Sequence, residues 1–347
     1  MTYFLIYAAL LLCGLLSSSD RSLRNVLYYT CLLGLFVFVG FRYKVGCDWA
    51  AYLLIFQEAR HHEAPSGGAG SIEYAFWDAN RLLHYFALEY PYINVLSSAV
   101  FFLGLHALAR RQPNPLSILI LSFPILILNL AMSGIRQAIA LGILCFAYNS
   151  FVDKRLVRYV LLVMLASTFH RSAMFLLVLT PFVRSEYSGQ RMAFAGLLAL
   201  PGVYYLVTSQ VYEFYAKRYI GAGTVEAAGA AFRAGLLALT GIGFLWFLNA
   251  KWKAQSTRDY KLVKISSYML AATFPVALYS SVAGDRFGYY LVPIQLIILA
   301  RLPVLIQGKF SAPVAFAPYA IGALVLAIWI SFSALFEKCY LPYQLWW

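Results

Sequence analysis

Apolar residues along this chain come in runs of about 15–20, the length that crosses a hydrocarbon layer of about 30 Å as an α-helix. No run alternates with a period of two, so neither a soluble sheet nor a membrane barrel is predicted. The runs place candidate spans at residues 2–16, 25–41, 92–109, 116–131, 136–152, 192–208, 233–250, 265–283, 289–306 and 314–335. The expected fold class is all-α, a polytopic transmembrane helix bundle of about ten spans, because only internally bonded helices satisfy the backbone in lipid. No repeat, low-complexity tract or soluble domain interrupts the pattern, and residues 1–347 read as a single transmembrane domain. The run at 2–16 has no basic leader and no small-residue cleavage site, so a retained helix is expected there rather than a signal peptide.

Composition removes the soluble alternative. The chain is 62% hydrophobic and 12% charged, whereas soluble domains carry about 25% charged residues. A net charge of +13, from 27 Lys+Arg against 14 Asp+Glu, does not point to nucleic acid in this setting. Basic residues are retained in cytoplasmic loops, and part of the excess is available to anionic lipid or a phosphate-bearing substrate. Lys251, Lys253, Arg258, Lys261 and Lys264 form the densest group. Lys154, Arg155 and Arg158 form another, with the pairs Arg110–Arg111 and Arg21–Arg24 beside them. All four groups are expected in the cytoplasm.

That assignment creates a parity problem. Residues 153–158 and 251–264 share a side, so an even number of crossings must separate them. Counting 159–183, 192–208 and 233–250 as single helices gives an odd number. The stretch 159–183 is therefore expected as a re-entrant or broken helix pair, interrupted between Thr168 and Ser172 by Phe169-His170-Arg171. Broken helices at membrane depth are tolerated where they line a polar cavity. The polar groups outside the cytoplasmic loops then gather on the outer face. They include a loop at 42–90, with an interfacial helix over 72–88 anchored by Trp77, Tyr85 and Phe86, and a second outer-face loop at 209–232. Cysteine is uninformative: Cys13, Cys31 and Cys145 fall within apolar runs, while Cys47 and Cys339 could meet outside the membrane.

Several residues carry candidate chemistry, each with a plain alternative. Arg136 opens a span and is either a snorkelling interface cation or a bidentate anion clamp. His170, beside Arg171, is either a polar packing residue or a general base. Asp48 stands where a helix N-cap would stand, or acts as a general base toward an acceptor hydroxyl. Glu73 and Asp78 are weaker candidates of the same kind, and Glu73 suits a cap on the interfacial helix. Asp285 and Arg286 form either a local pair that starts a span or part of a polar site. Lys217, Arg218 and Tyr219 follow an aromatic stretch that suits interfacial anchoring. Trp49, Tyr52, Trp77, Tyr340, Tyr343, Trp346 and Trp347 suit the girdle of aromatics at the membrane surface, or stacking on sugar rings. There is no P-loop, HExxH, Gly-x-Ser-x-Gly or Asp-x-Asp pattern.

Taken in order along the chain, these segments resemble the EpsG family of Wzy-like exopolysaccharide polymerases. The resemblance rests on Arg42…Val45-Gly46…Asp48…Tyr52, on Glu73-Tyr74, and on Gly134-Ile-Arg136-Gln-Ala-Ile-Ala140. It continues through Ala166-Ser-Thr-Phe-His170-Arg-Ser-Ala173, Arg286…Tyr289-Tyr290 and Leu341-Pro-Tyr343. Cys47 and Trp49 depart from the residues more usual there.

The resemblance implies a GT-C-like bundle in the bacterial inner membrane, active on its periplasmic or extracellular face. Its reaction would move a glycan from undecaprenyl pyrophosphate onto a lipid-linked repeat unit, without cofactor or nucleic acid. Asp48, His170 and Arg136 would be catalytic. Arg42, Glu73, Arg171, Arg218, Asp285, Arg286 and Tyr289 would bind substrate. A chain-length regulator and a flippase are the implied protein partners. No carboxylate cluster calls for a metal, although Asp48 with Glu73 leaves a divalent ion open. The competing readings are a flippase or transporter, which usually shows repeated halves, a membrane acyltransferase, and an O-antigen-ligase-like enzyme differing only in acceptor.

Overall fold

The computed structural model describes residues 1–17, 20–60, 73–184, 190, 193–194, 197, 229–306 and 311–346. The expected span 192–208 (apart from residues 193, 194 and 197), most of the loop 209–232, Arg218 and its neighbours Lys217 and Tyr219, and Trp347 lie outside the described residues. Regular structure among the described residues is helical, and the one β-bridge is Arg42 against Leu345.

The chain divides into two compact units. The first comprises residues 1–62, 77–142 and 299–347, and the second comprises residues 63–76 and 143–298. Six described helices are long and apolar enough to cross a bilayer: Arg21–Gly40, Pro91–Ala109, Ile135–Val152, Ala230–Gln255, Thr257–Tyr279 and Ala312–Phe332. Four shorter apolar helices accompany them: Thr2–Leu16, Pro115–Ala131, Leu156–Phe169 and Arg171–Phe182. The helix Ser281–Ala300, expected as a span at 289–306, is outside the six and carries Asp285 and Arg286 near its start.

From the start of the chain, α1 (Thr2–Leu16) is followed by α2 (Arg21–Gly40), α3 (Trp49–Glu58) and α4 (Tyr74–Tyr85). Then come α5 (Pro91–Ala109), α6 (Pro115–Ser122) and α7 (Ile135–Val152). The first turn of α4 belongs to the second unit, as does α7 from Ile143. A Cβ on Gly104 of α5 would strike the Gly142 carbonyl of α7, and one on Gly142 would strike Val100. That is the close backbone approach small residues permit where lipid gives no hydrophobic drive to association. After α6 the chain continues as a π-helix over Phe123–Ala131. Wider winding frees carbonyls for side chains: Asn129 donates to Pro124 (3.2 Å) and Tyr340 to Leu128 (2.9 Å).

The helix expected at 72–88 forms as α4, but only part of its anchoring holds. Tyr85 and Phe86 are exposed, at 82% and 61%, whereas Trp77 is 1% exposed and belongs to the core. Amphipathic spacing marks a face without saying whether lipid or protein covers it.

In the second unit, the apolar stretch 159–183 is two short arms. The arm α8 (Leu156–Phe169) ends at His170, whose backbone is extended at φ −153°, and a 3-10 helix follows over Arg171–Phe182. Tyr159 of the first arm donates to the Leu176 carbonyl of the second at 2.6 Å. The helix α9 (Ala230–Gln255) precedes α10 (Thr257–Tyr279), which starts eight residues before the expected 265. Asp259 in its first turn explains the difference: it accepts from Ser256 (2.8 Å) and from Trp252 (3.0 Å). A stabilised start carries the helix through Lys261 and Lys264, past the edge of the apolar window.

Candidate active site

Two polar clusters bear on function, one in each unit. The first grows from the turn after α2. Arg42 is 2% exposed, and its guanidinium is held by backbone oxygens. Nε donates to Val45 (3.0 Å) and Met132 (3.1 Å), one terminal nitrogen donates to Val39, and the other donates to Asn94 Oδ1 (3.0 Å). Val39 lies in the last turn of α2, and Met132 ends the π-helix. Terminal carbonyls of helices lack internal partners and carry partial negative charge, so one arginine closes two helix ends. Burial pushes its pKa down to about 10, with tyrosines including Tyr90 and Tyr340 opposing the fall. The group stays charged at neutral pH.

The turn is pinned from the other end of the sequence. Tyr43 N donates to Gln344 O (2.9 Å), Trp346 N to Phe41 O (2.8 Å) and Gly46 N to Cys339 O (2.8 Å). Cys47 and Cys339 form a disulfide across 292 residues, a pairing the sequence left open. Gly46 has φ +110°, and a Cβ there would collide with the Met132 carbonyl. Only glycine meets both demands.

Asp48 occupies the N-cap position of α3, yet its side chain makes no capping hydrogen bond. It is exposed, and four residues on Tyr52 is buried. Arg136 reaches this pair from the first turn of α7, with its guanidinium carbon 5.7 Å from the centre of the Tyr52 ring. Burial pushes the Tyr52 phenol up, the Arg136 charge opposes that, and the Asp48 charge adds to it. Tyr52 is therefore a neutral hydrogen-bonding group at pH 7. The arrangement is a cation at a helix N-terminus, where the dipole disfavours it, over a phenol ring that also feels the Asp48 charge. An anion arriving at Arg136 would offset that unfavourable placement of a cation at the helix start.

The second cluster centres on the tip of the broken helix. His170 Nδ1 lies 2.7 Å from Ser172 Oγ and 3.0 Å from Tyr290 Oη, and the two hydroxyls are 3.0 Å apart. Tyr290 is held in turn, its carbonyl accepting from Tyr148 at 2.6 Å. These contacts fix the imidazole through Nδ1, the constraint a working base needs for orientation. Glu73, 9% exposed, accepts from the Arg171 backbone N–H at 3.4 Å, so its carboxylate faces the start of the 3-10 helix. The Arg171 side chain is exposed. Asp285 takes a hydrogen bond from Arg233 Nε at 2.7 Å, and the Arg233 guanidinium also stands 5.9 Å from the Tyr289 ring centre. Arg286 lies half-buried in the same helix turn as Asp285.

Asp48, Arg42 and Arg136 thus fall in the first unit, and Glu73, His170, Arg171, Asp285, Arg286 and Tyr289 in the second. Sequence reading named neither Ser172 nor Arg233 as a site residue; it noted Tyr290 without a role, and Tyr52 only for the aromatic girdle or sugar stacking. A serine two positions from the only histidine in its apolar run was a usable signal for Ser172. So was an arginine opening an apolar helix for Arg233. Among the described residues, no three His, Cys, Asp or Glu side chains come together as a metal site would require.

The sequence model of the EpsG family matches residues 25–345, nearly the whole chain. No curated protein matches. No solved structure matches either.

Proposed function

Because this chain belongs to the EpsG family, we propose that it polymerises lipid-linked oligosaccharide repeat units into extracellular or surface polysaccharide. Membership carries the general class, a glycosyltransferase-type polymerase in a multi-pass membrane protein. The finer assignment is our reading. The donor is a growing glycan on undecaprenyl pyrophosphate, and the acceptor is one lipid-linked repeat unit. The protein sits in the bacterial inner membrane, about ten spans with a GT-C-like arrangement, and works on the periplasmic or extracellular face.

The observation that carries this reading is Arg136 over the ring of Tyr52, whose phenol also feels the charge of Asp48 one helical turn away. In the reaction, an acceptor hydroxyl oxygen attacks the anomeric carbon of the donor glycan. The carbon–oxygen bond to pyrophosphate breaks, and the hydroxyl proton passes to a base. Undecaprenyl pyrophosphate leaves with the bonding pair. Charge grows on the leaving oxygen, so a fixed guanidinium there lowers the barrier. Arg136 takes that role, with Tyr52 setting its orientation. Asp48, uncommitted to capping, is the base in this reading, and His170 in the second unit is its rival. Arg42, closed around carbonyls, keeps the turn in shape instead of holding phosphate. Glu73, Arg171, Asp285, Arg286 and Tyr289, together with Arg218, remain candidates for glycan binding.

The disulfide supports the outer face, because such bridges persist in oxidising compartments. It joins the turn that carries Asp48. Purified protein given a synthetic undecaprenyl-pyrophosphate-linked repeat unit tests the proposal by gel electrophoresis of the glycan. A product ladder that vanishes with Arg136→Ala is expected. Transport of the lipid across liposomes with no ladder would replace the polymerase by a flippase.

A further inference from the structure

At the end of α8 remote from His170, the second unit opens a groove of about 540 Å³. Lys154, Arg155, Arg158 and Arg184 surround one part of it. All four are exposed, and among the described residues none is paired with a carboxylate. The nearby carboxylate of Asp153 is engaged by Arg258 at 2.7 Å. Lys154 holds φ at +58°, a conformation that favours glycine, so a long cation is kept at a costly position. The N-cap residue Arg155 makes no side-chain cap. The positive end of the helix therefore adds to the same field.

The other wall is apolar. Val157, Leu161 and Leu165 stand four residues apart along α8 and are 64%, 63% and 49% exposed. They extend the groove away from the cations for about 12 Å at 1.5 Å per residue. Four cations at one end of an exposed apolar stripe match a phosphate headgroup followed by an acyl chain. A soluble phosphate would use the cations and leave the stripe without purpose.

We propose that this groove is a binding site for an anionic diacyl phospholipid. The phosphate sits among Lys154, Arg155, Arg158 and Arg184, and an acyl chain lies along Val157, Leu161 and Leu165. Basic pockets at helix ends bind such headgroups, each cation adding roughly fivefold to the affinity. The bound lipid would brace the base of the hairpin whose tip is His170.

The test is native mass spectrometry of the full-length protein in detergent, titrated with phosphatidylglycerol. One saturable adduct is expected, with phosphatidylcholine bound at least about tenfold more weakly. Arg155→Gln/Arg158→Gln/Arg184→Gln should weaken the adduct on the order of a hundredfold, and Arg158→Gln alone about fivefold. Lys251→Gln/Lys253→Gln, which removes exposed cations that do not line the groove, should leave it unchanged. Equal binding of the two lipids overturns the proposal, and so does retention of the adduct by the triple variant. Equal binding of chain-free glycerophosphoglycerol would make this a soluble-anion site and overturn it too. The comparison of ligands uses the unaltered protein and no polymer product, so its outcome is separate from that of the polymerase reading.

Discussion

Arg136 stacks on Tyr52, its guanidinium carbon 5.7 Å from the ring centre, and this contact helps orient the cation at the start of α7. Arg136→Ala should lower polymer yield at least about a hundredfold if the guanidinium stabilises a leaving pyrophosphate. Arg136→Lys should recover little, since an ammonium neither forks nor stacks as a guanidinium does. Tyr52→Phe should keep most activity and Tyr52→Leu should not. Glycan ladders from membranes with matched protein levels read all four.

For Arg42 a different outcome is expected. Arg42→Met would strip donors from the Val39, Val45 and Met132 carbonyls and from Asn94, each left buried at a cost of about 1–3 kcal/mol. The loss should show as a thermal midpoint lowered by several degrees in detergent, with poor recovery of folded protein. Arg42→Lys should not rescue it. A variant that folds normally but makes no polymer would return Arg42 to the list of substrate ligands.

Gly46 is under two constraints at once, a positive φ and the Met132 carbonyl facing its missing Cβ. Gly46→Ala should destabilise by about 1–3 kcal/mol. Size-exclusion profiles and unfolding midpoints would register the change, and a neutral result would mean the turn relaxes without cost.

The Arg233–Asp285 pair joins two helices, its side chains 19% and 17% exposed. A double-mutant cycle with Arg233→Ala and Asp285→Ala should return a coupling of about 1 kcal/mol. The exchanged pair Arg233→Asp/Asp285→Arg should recover part of the stability lost by either change alone. Strict additivity would show that the two side chains act separately.

Topology has its own test in the cysteines. After mild reduction, Cys47 and Cys339 should react with a membrane-impermeant maleimide added outside intact cells, and should not react without reductant. Labelling only after permeabilisation would invert the proposed orientation.

What the sequence disclosed follows from the range of the forces involved. The helix break at His170 was legible because a polar tripeptide interrupts an apolar run, and the parity of basic loops demanded a return. The first signal is local, and the second needs only loop charges and a count of crossings. The role of Arg42 was hidden, because the Met132 carbonyl that holds it lies 90 residues away. The partner of Asp285 was out of reach for the same reason: the adjacent Arg286 was one of two readings, while the ion pair is made with Arg233, 52 residues distant. Trp77 shows a third limit. Its spacing announced an amphipathic helix, and nothing in the spacing distinguished a lipid headgroup from a protein neighbour.

The ribbon between residues 41–46 and 339–346 sets an order on biogenesis. The turn bearing Asp48 leaves the ribosome early, just after α2, but its backbone partners are translated only after the helix Ala312–Phe332. Until then Tyr43 and Gly46 lack their main-chain acceptors, and Cys47 lacks its mate. A nascent chain halted anywhere before Cys339 would hold inserted helices around an unfinished turn. Synthesis of residues 339–346 thereby acts as the step that arms this part of the protein.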